Sequence, residues 1–224
     1  LSDREILEAE MLSDEMVLYR SHNKWGVISR KGKAIVPPLA REVLLERDEY
    51  LLVKTSGGNG LWSIAGQAIA DTLYHSIQIL DNNSFAVRRD RHWGLLDRSG
   101  TLLLEEKWWE IRPLGSDYIV VKDSSSIGLF VKENQKVIGY GEYQRFVDFP
   151  GNRVLCVKNL LVGLLDHDGN QLLKNRYQEI QVFDGDIYRI RQANQWGLTR
   201  PGDAVVLSPE YSFLGPLNTE IASV

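Results

Sequence analysis

An all-β fold of six short antiparallel meanders is predicted by three observations. A glycine returns at Gly26, Gly60, Gly94, Gly128, Gly163 and Gly197, spaced by 34, 34, 34, 35 and 34 residues. A second turn-forming residue follows it by six places at Gly32, Gly66, Gly100, Asn134 and Gly169, and by five at Gly202. Around these positions lie short apolar runs, too brief for helices and rich in β-formers. A period held so evenly over most of 224 residues means one structural unit copied six times.

Each segment of the unit has its own justification. The run before the main glycine reads as a strand: Val17-Leu18-Tyr19, Leu51-Leu52-Val53, Phe85-Ala86-Val87, Ile119-Val120-Val121, Leu155-Cys156-Val157 and Tyr188-Arg189-Ile190. A second strand contains the glycine, as in Gly94-Leu95-Leu96. Ser29, Ser63, Asp97 or Asp166 then stands three places before the second glycine. That order is the signature of a type I turn closed by a left-handed residue. Arg200-Pro201-Gly202 is a shorter version. A third strand follows, as in Ala34-Ile35-Val36 and Leu102-Leu103-Leu104. The last is opened by Val43, Ile77, Ile111, Phe146, Ile180 or Phe213, often with an aromatic two or three places earlier: Tyr74, Trp108, Tyr143, Tyr177, Tyr211. Four short strands joined by tight turns make a β-meander. A unit of this size cannot bury a core alone, so neighbouring units must lean on one another.

Residues 1–16 lie outside this pattern and residues 17–224 form the repeat domain. Ser2 followed by Glu5 resembles a capping box, and Asp3 to Met16 is acidic and helix-friendly. A short N-terminal helix covering one edge of the array is therefore expected, with a frayed tail as the alternative. The apolar last unit, Tyr211-Ser212-Phe213-Leu214, has no polar cap and favours a closed propeller-like ring. The alternative is an open β-solenoid, because 34 residues is short for a propeller blade.

Composition narrows the function. A net charge of −4 favours neither nucleic acid nor an anionic membrane as partner. No apolar run is long enough to cross a bilayer. Cys156 is the only cysteine, so no intrachain disulfide is possible; it stands where other units have Val53, Val87 and Val121 and reads as a core residue. The cytoplasm is favoured, and export stays open because the chain starts at Leu1 without a methionine.

Two series of residues are candidate contacts. A basic residue closes the first strand-like run of every unit: Arg20, Lys54, Arg88, Lys122, Lys158 and Arg191. Six such cations would suit an acidic or phosphorylated partner. Local pairing with Glu42, Glu110 or Glu179 is the plainer reading and is preferred, since charged strand ends are ordinary. Trp25, Trp93 and Trp196 precede the main glycine and read as packing residues. Trp108 and Trp109 are adjacent, so on a strand they face opposite ways and one is expected to be exposed. The polar loops before the main glycine, such as Ser21-His22-Asn23-Lys24 and Asp123-Ser124-Ser125-Ser126, are further candidates for recognition. His22, His75, His92 and His167 lack metal-ligand spacing, and Asp97, Asp166 and Asp168 are explained by turns. No catalytic residue, metal or cofactor is predicted.

The unit Asn23-Lys24-Trp25-Gly26-Val27-Ile28-Ser29-Arg30-Lys31-Gly32 through Pro38 resembles the bacterial WG repeat family. Arg91-His92-Trp93-Gly94-Leu95-Leu96-Asp97 and Gln195-Trp196-Gly197-Leu198 match its core, whereas Asn59, Ile127 and Val162 replace the tryptophan elsewhere. The resemblance spans roughly residues 17–217. It implies a binding or scaffold module without catalytic residues, and the departures mean that the tryptophan is not a universal ligand contact. The expected function is a non-enzymatic protein-interaction module. Glycan or small-ligand binding is the alternative, and a hydrolase with a site at a ring axis comes last.

Overall fold

The structure, a computed structural model, describes residues 6–215. Six four-stranded antiparallel sheets follow one another along the chain, each a meander in strand order. Sheet 1 comprises β1 (Glu8–Ser13), β2 (Met16–Ser21), β3 (Lys24–Ser29) and β4 (Ala34–Ala40). Sheet 2 comprises β5 (Glu42–Glu46), β6 (Tyr50–Lys54), β7 (Asn59–Ser63) and β8 (Ala68–Tyr74). Sheet 3 comprises β9 (Ser76–Asp81), β10 (Ser84–Arg89), β11 (His92–Asp97) and β12 (Leu102–Trp108). Sheet 4 comprises β13 (Glu110–Leu114), β14 (Tyr118–Lys122), β15 (Ile127–Val131) and β16 (Lys136–Ile138). Sheet 5 comprises β17 (Arg145–Phe149), β18 (Arg153–Lys158), β19 (Leu161–Leu165) and β20 (Gln171–Tyr177). Sheet 6 comprises β21 (Glu179–Asp184), β22 (Ile187–Gln192), β23 (Gln195–Arg200) and β24 (Ala204–Tyr211). No α-helix occurs among the described residues; Pro201–Asp203 is a single 3₁₀ turn.

The N-terminal helix expected from the sequence is overturned over 8–13. That segment is β1, paired with β2 through Glu8↔Arg20 and Glu10↔Leu18. Acidic composition is only a local preference, and pairing with an available strand outweighs it. The proposed cap at Ser2 and Glu5 lies outside the described residues. The same pairing moves the frame of the repeat by one strand. Val43 pairs with Val53, so the strand opened by Val43 begins sheet 2 and does not end sheet 1. The equivalent strands open sheets 3 to 6, and Phe213 follows β24 outside any strand.

The main glycine sits in the third strand, opposite a pronounced bulge. Trp93 pairs with Trp108 and Leu95 with Leu104, so three residues of β12 face Gly94 alone. A Cβ on Gly94 would lie 2.8 Å from the Leu104 carbonyl oxygen and 3.2 Å from the Glu106 nitrogen. The offset recurs at Trp25/Val27, Asn59/Leu61, Val162/Leu164 and Trp196/Leu198. Close approach of backbone requires glycine here. The second glycine acts differently. Gly100 has φ +88, and its N–H donates to the Asp97 carbonyl at 3.0 Å, closing the β11–β12 hairpin as the sequence predicted. In sheet 4 the left-handed residue is Gln135, one place beyond the expected Asn134.

The chain divides into two compact units, Leu1–Ile111 and Arg112–Val224. In the first, Leu18 and Val27 of sheet 1 pack with Leu51, Val53 and Trp62 of sheet 2. Tyr50 and Leu61 of sheet 2 pack with Phe85, Val87 and Leu96 of sheet 3. In the second, Tyr118 and Leu129 meet Phe146, Val154 and Cys156, and Phe149 and Leu164 meet Tyr188 and Ile190. Successive sheets are also stitched by hydrogen bonds. Tyr50 Oη donates to the Asn82 carbonyl and Tyr118 Oη to the Asn152 carbonyl, each at 2.9 Å.

Candidate functional site

The strand register gathers the sequence-predicted residues into rows at one end of the sheets. In sheet 1 the row is Glu8↔Arg20↔Trp25↔Ala40; in sheet 2, Glu42↔Lys54↔Asn59↔Tyr74; in sheet 3, Ser76↔Arg88↔Trp93↔Trp108. In sheet 6 it is Glu179↔Arg191↔Trp196↔Tyr211. Side chains directly opposite one another share a face and interact. Each guanidinium therefore lies over the neighbouring indole: Arg20 on Trp25 at 5.8 Å, Arg88 on Trp93 at 5.2 Å and Arg191 on Trp196 at 5.7 Å. Where the indole is absent the cation is not arginine: Asn59 faces Lys54 and Ile127 faces Lys122. A planar, weakly hydrated guanidinium stacks on an aromatic face where an ammonium prefers water.

Three of the six cations also have local polar partners. Arg20 pairs with Glu8 at 3.3 Å, Lys54 with Glu42 at 3.0 Å, and Arg88 donates to Ser76 Oγ at 2.9 Å. Lys122 is exposed at the end of β14. Lys158 is not brought into the series. Val157 pairs with Val162, the position that Lys122 and Arg191 hold in their sheets, and Lys158 pairs one step on with Leu161. The steps of 36 and 33 flanking Lys158 were the trace of this slip in the sequence.

Trp108 is buried in the row beside Trp93, whereas Trp109 is 59% exposed at the junction of β12 and β13. The other junctions show why. At three of them the junction side chain accepts a backbone N–H from the turn between the second and third strands of the following sheet. His75 Nδ1 accepts from Asp90 at 3.1 Å, Gln144 Oε1 from Asn159 at 2.9 Å and Gln178 Oε1 from Asn194 at 2.7 Å. In sheet 4 the turn caps itself, because Asp123 Oδ1 accepts from the N–H groups of Ser125 and Ser126 at 2.8 and 2.9 Å. Thr55 Oγ1 does the same for Gly57 and Gly58 in sheet 2. At the junction of sheets 3 and 4 the residue is Trp109, an exposed indole with no side-chain acceptor.

A family model for the WG containing repeat matches residues 163–196. That match spans one repeat length of the chain. No curated protein sequence matches it. Among solved structures, Kluyveromyces lactis Hsv2 with its complete loop 6CD is similar at 12% identity and a TM-score of 0.33, over 88% of this chain and 74% of that one. Apo AztD from Citrobacter koseri is similar at 11% identity and a TM-score of 0.34, over 89% and 71%. PorZ of Porphyromonas gingivalis, a surface component of the type-IX secretion system, is similar at 9% identity and a TM-score of 0.33; 96% of this chain covers 34% of it. Likenesses of this strength carry no functional argument.

One feature of the last sheet escaped the sequence reading. The second strand carries Leu18, Leu52, Ala86, Val120 and Leu155 at equivalent positions, and sheet 6 carries Arg189. Arg189 stacks on Trp196 at 4.8 Å and donates to Gln181 and to the Leu214 carbonyl. It is the one charge in a column that is apolar in the other five sheets.

The electrostatics of the described residues are those of turns and a core. The hydrogen bond from Tyr140, with those from the Ser125 and Ser126 backbones, pulls Asp123 down to about 2. Partial burial raises Asp97, but hydrogen bonds from Ser99 and the backbone of residues 99–101 outweigh it and leave the carboxyl lowered. Burial pushes the Cys156 thiol up, against hydrogen bonds to Asn175 and Tyr143. Burial likewise pushes Tyr143 up to about 12. Glu133, His167 and Asp168 lie within 4.8 Å of one another on two adjacent turns and are the described side chains that could share an ion; all three are exposed.

Proposed function

We propose that the chain is a non-enzymatic protein-interaction module that meets its partner through Trp109 and the neighbouring end of sheet 3. The observation that supports this most is Trp109, a large indole 59% exposed between β12 and β13. Exposed aromatic anchors of this kind supply much of the energy at protein interfaces. Arginine already stacks on Trp25, Trp93 and Trp196, which covers one face of each ring that a sugar would need, so a protein partner is favoured over a glycan.

The test is cross-linking capture with the wild-type chain and with Trp109→Ala, both verified as folded. Loss of one protein from the captured set, at a cost of about 2 kcal/mol in its affinity, is the expected result. An unchanged set and affinity would remove Trp109 from the interface. Six sheets closed into a propeller-like ring would present such a surface as one face. Solution scattering tests that arrangement: a compact particle of this length has a radius of gyration near 17 Å, on the order given by domain scaling, and an extended solenoid has a larger one.

A further inference from the structure

One repeat breaks a packing rule and leaves a cleft. The last core-facing position of the first strand is Leu12, Glu46, Leu80, Leu114, Phe149 and Phe183, on the same 34- or 35-residue beat as the main glycine. Leu12 packs against the core between sheets 1 and 2. Leu114 and Phe149 are buried plugs in the cores of sheets 4 and 5, and 5 and 6. In sheet 2 the plug is a glutamate. A carboxylate is costly to bury without a partner, and Glu46 is half-buried at the edge of the space that its apolar counterparts fill. The result is a cleft of about 310 Å³ between sheets 2 and 3, within the first compact unit.

Its floor is aliphatic: Leu52, Leu61, Ile77 and Ile79. Its polar lining includes one carboxylate and one guanidinium, Glu46 and Arg47. Arg47 is held there because its Nη2 donates to the Ile79 carbonyl at 2.8 Å, which leaves its other N–H groups for a ligand. Opposite charges above an apolar floor, in a cleft at the small end of the ligand-pocket range, define the complementary molecule. We propose that this cleft binds a free α-amino acid with a branched aliphatic side chain. The side chain lies on the aliphatic floor, the ammonium meets Glu46 and the carboxylate meets Arg47. This site is separate from the Trp109 surface, and neither reading depends on the other.

The experiment is titration of the full chain with L-leucine, followed by methyl NMR. Saturable shifts of the Leu52, Leu61, Ile77 and Ile79 methyls are expected. Glu46→Leu restores the plug and abolishes them, while its melting temperature stays at or above that of the wild type, so lost binding is not lost fold. Glu46→Gln keeps the shape and weakens leucine by about tenfold but leaves 4-methylpentanoate, which lacks the ammonium, unchanged. Arg47→Gln weakens leucine to a similar degree and leaves isopentylamine, which lacks the carboxylate, unchanged. No saturable shift in the wild type, undiminished binding by Glu46→Leu, or Glu46→Gln and Arg47→Gln variants that bind leucine like the wild type would each overturn the proposal.

Discussion

At the scale of single residues, the main glycine is set by contact and the turn glycine by conformation. A methyl group on Gly94 would meet the backbone of β12, with the Leu104 oxygen at 2.8 Å, in a strand that cannot retreat without losing its pairing. Gly94→Ala is therefore expected to destabilise the chain by about 1–3 kcal/mol through overpacking, measured by urea unfolding. Gly185 is the control: it has φ +51 and nothing within 4 Å of the added atom, so alanine there pays only the left-handed strain of about 1 kcal/mol. Equal losses at the two sites would mean that the bulge does not crowd Gly94. Both glycine series were legible in the sequence from their spacing. The reason for the first was not, because a bulge is made by a strand ten residues away.

At the scale of elements, the turns carry the titrating groups. Asp97 and Asp123 have folded pKa values below the ordinary value of 3.8, and Asp123 reaches about 2. A lowered carboxyl stabilises the fold fully above its unfolded pKa and loses that contribution as pH falls through the folded one. Asp123→Asn should melt below the wild type at neutral pH, and the gap should close between roughly pH 5 and 2. A gap that stays constant across that range would assign the effect to something other than ionisation. The first strands show the limit of local reading. Glu8-Ala9-Glu10 has the composition of a helix, yet it is a strand because β2 offers a paired register that ends with Arg20 beside Glu8. The Arg–Trp rows were half visible: both series stood in the sequence, but the register that joins them across strands did not.

At the scale of the whole molecule, stability lies between sheets as much as within them. Tyr118 reaches from sheet 4 to two carbonyls of sheet 5, Asn152 at 2.9 Å and Asp166 at 3.0 Å, and burial pushes its hydroxyl up to about 12. Tyr118→Phe leaves both carbonyls without this donor and is expected to cost about 1–2 kcal/mol. Hydrogen exchange reads the consequence: protection should fall in sheets 4 and 5 together. Loss confined to β14 would mean that the hydroxyl does not couple the two sheets.

The sequence by itself determined the sixfold period, the all-β meander, the hairpin glycines and the core place of Cys156, because each is written in local spacing and in the alternation of side chains along a strand. The tertiary structure alone decided which four strands share a sheet, that Lys158 falls out of its series, and that Trp109 stands exposed while Trp108 is buried. It also decided that Glu46 opens a cleft where its counterparts fill one. A periodic chain looks the same in every frame, so only strand pairing and the packing of one sheet on the next, both non-local, could choose among them.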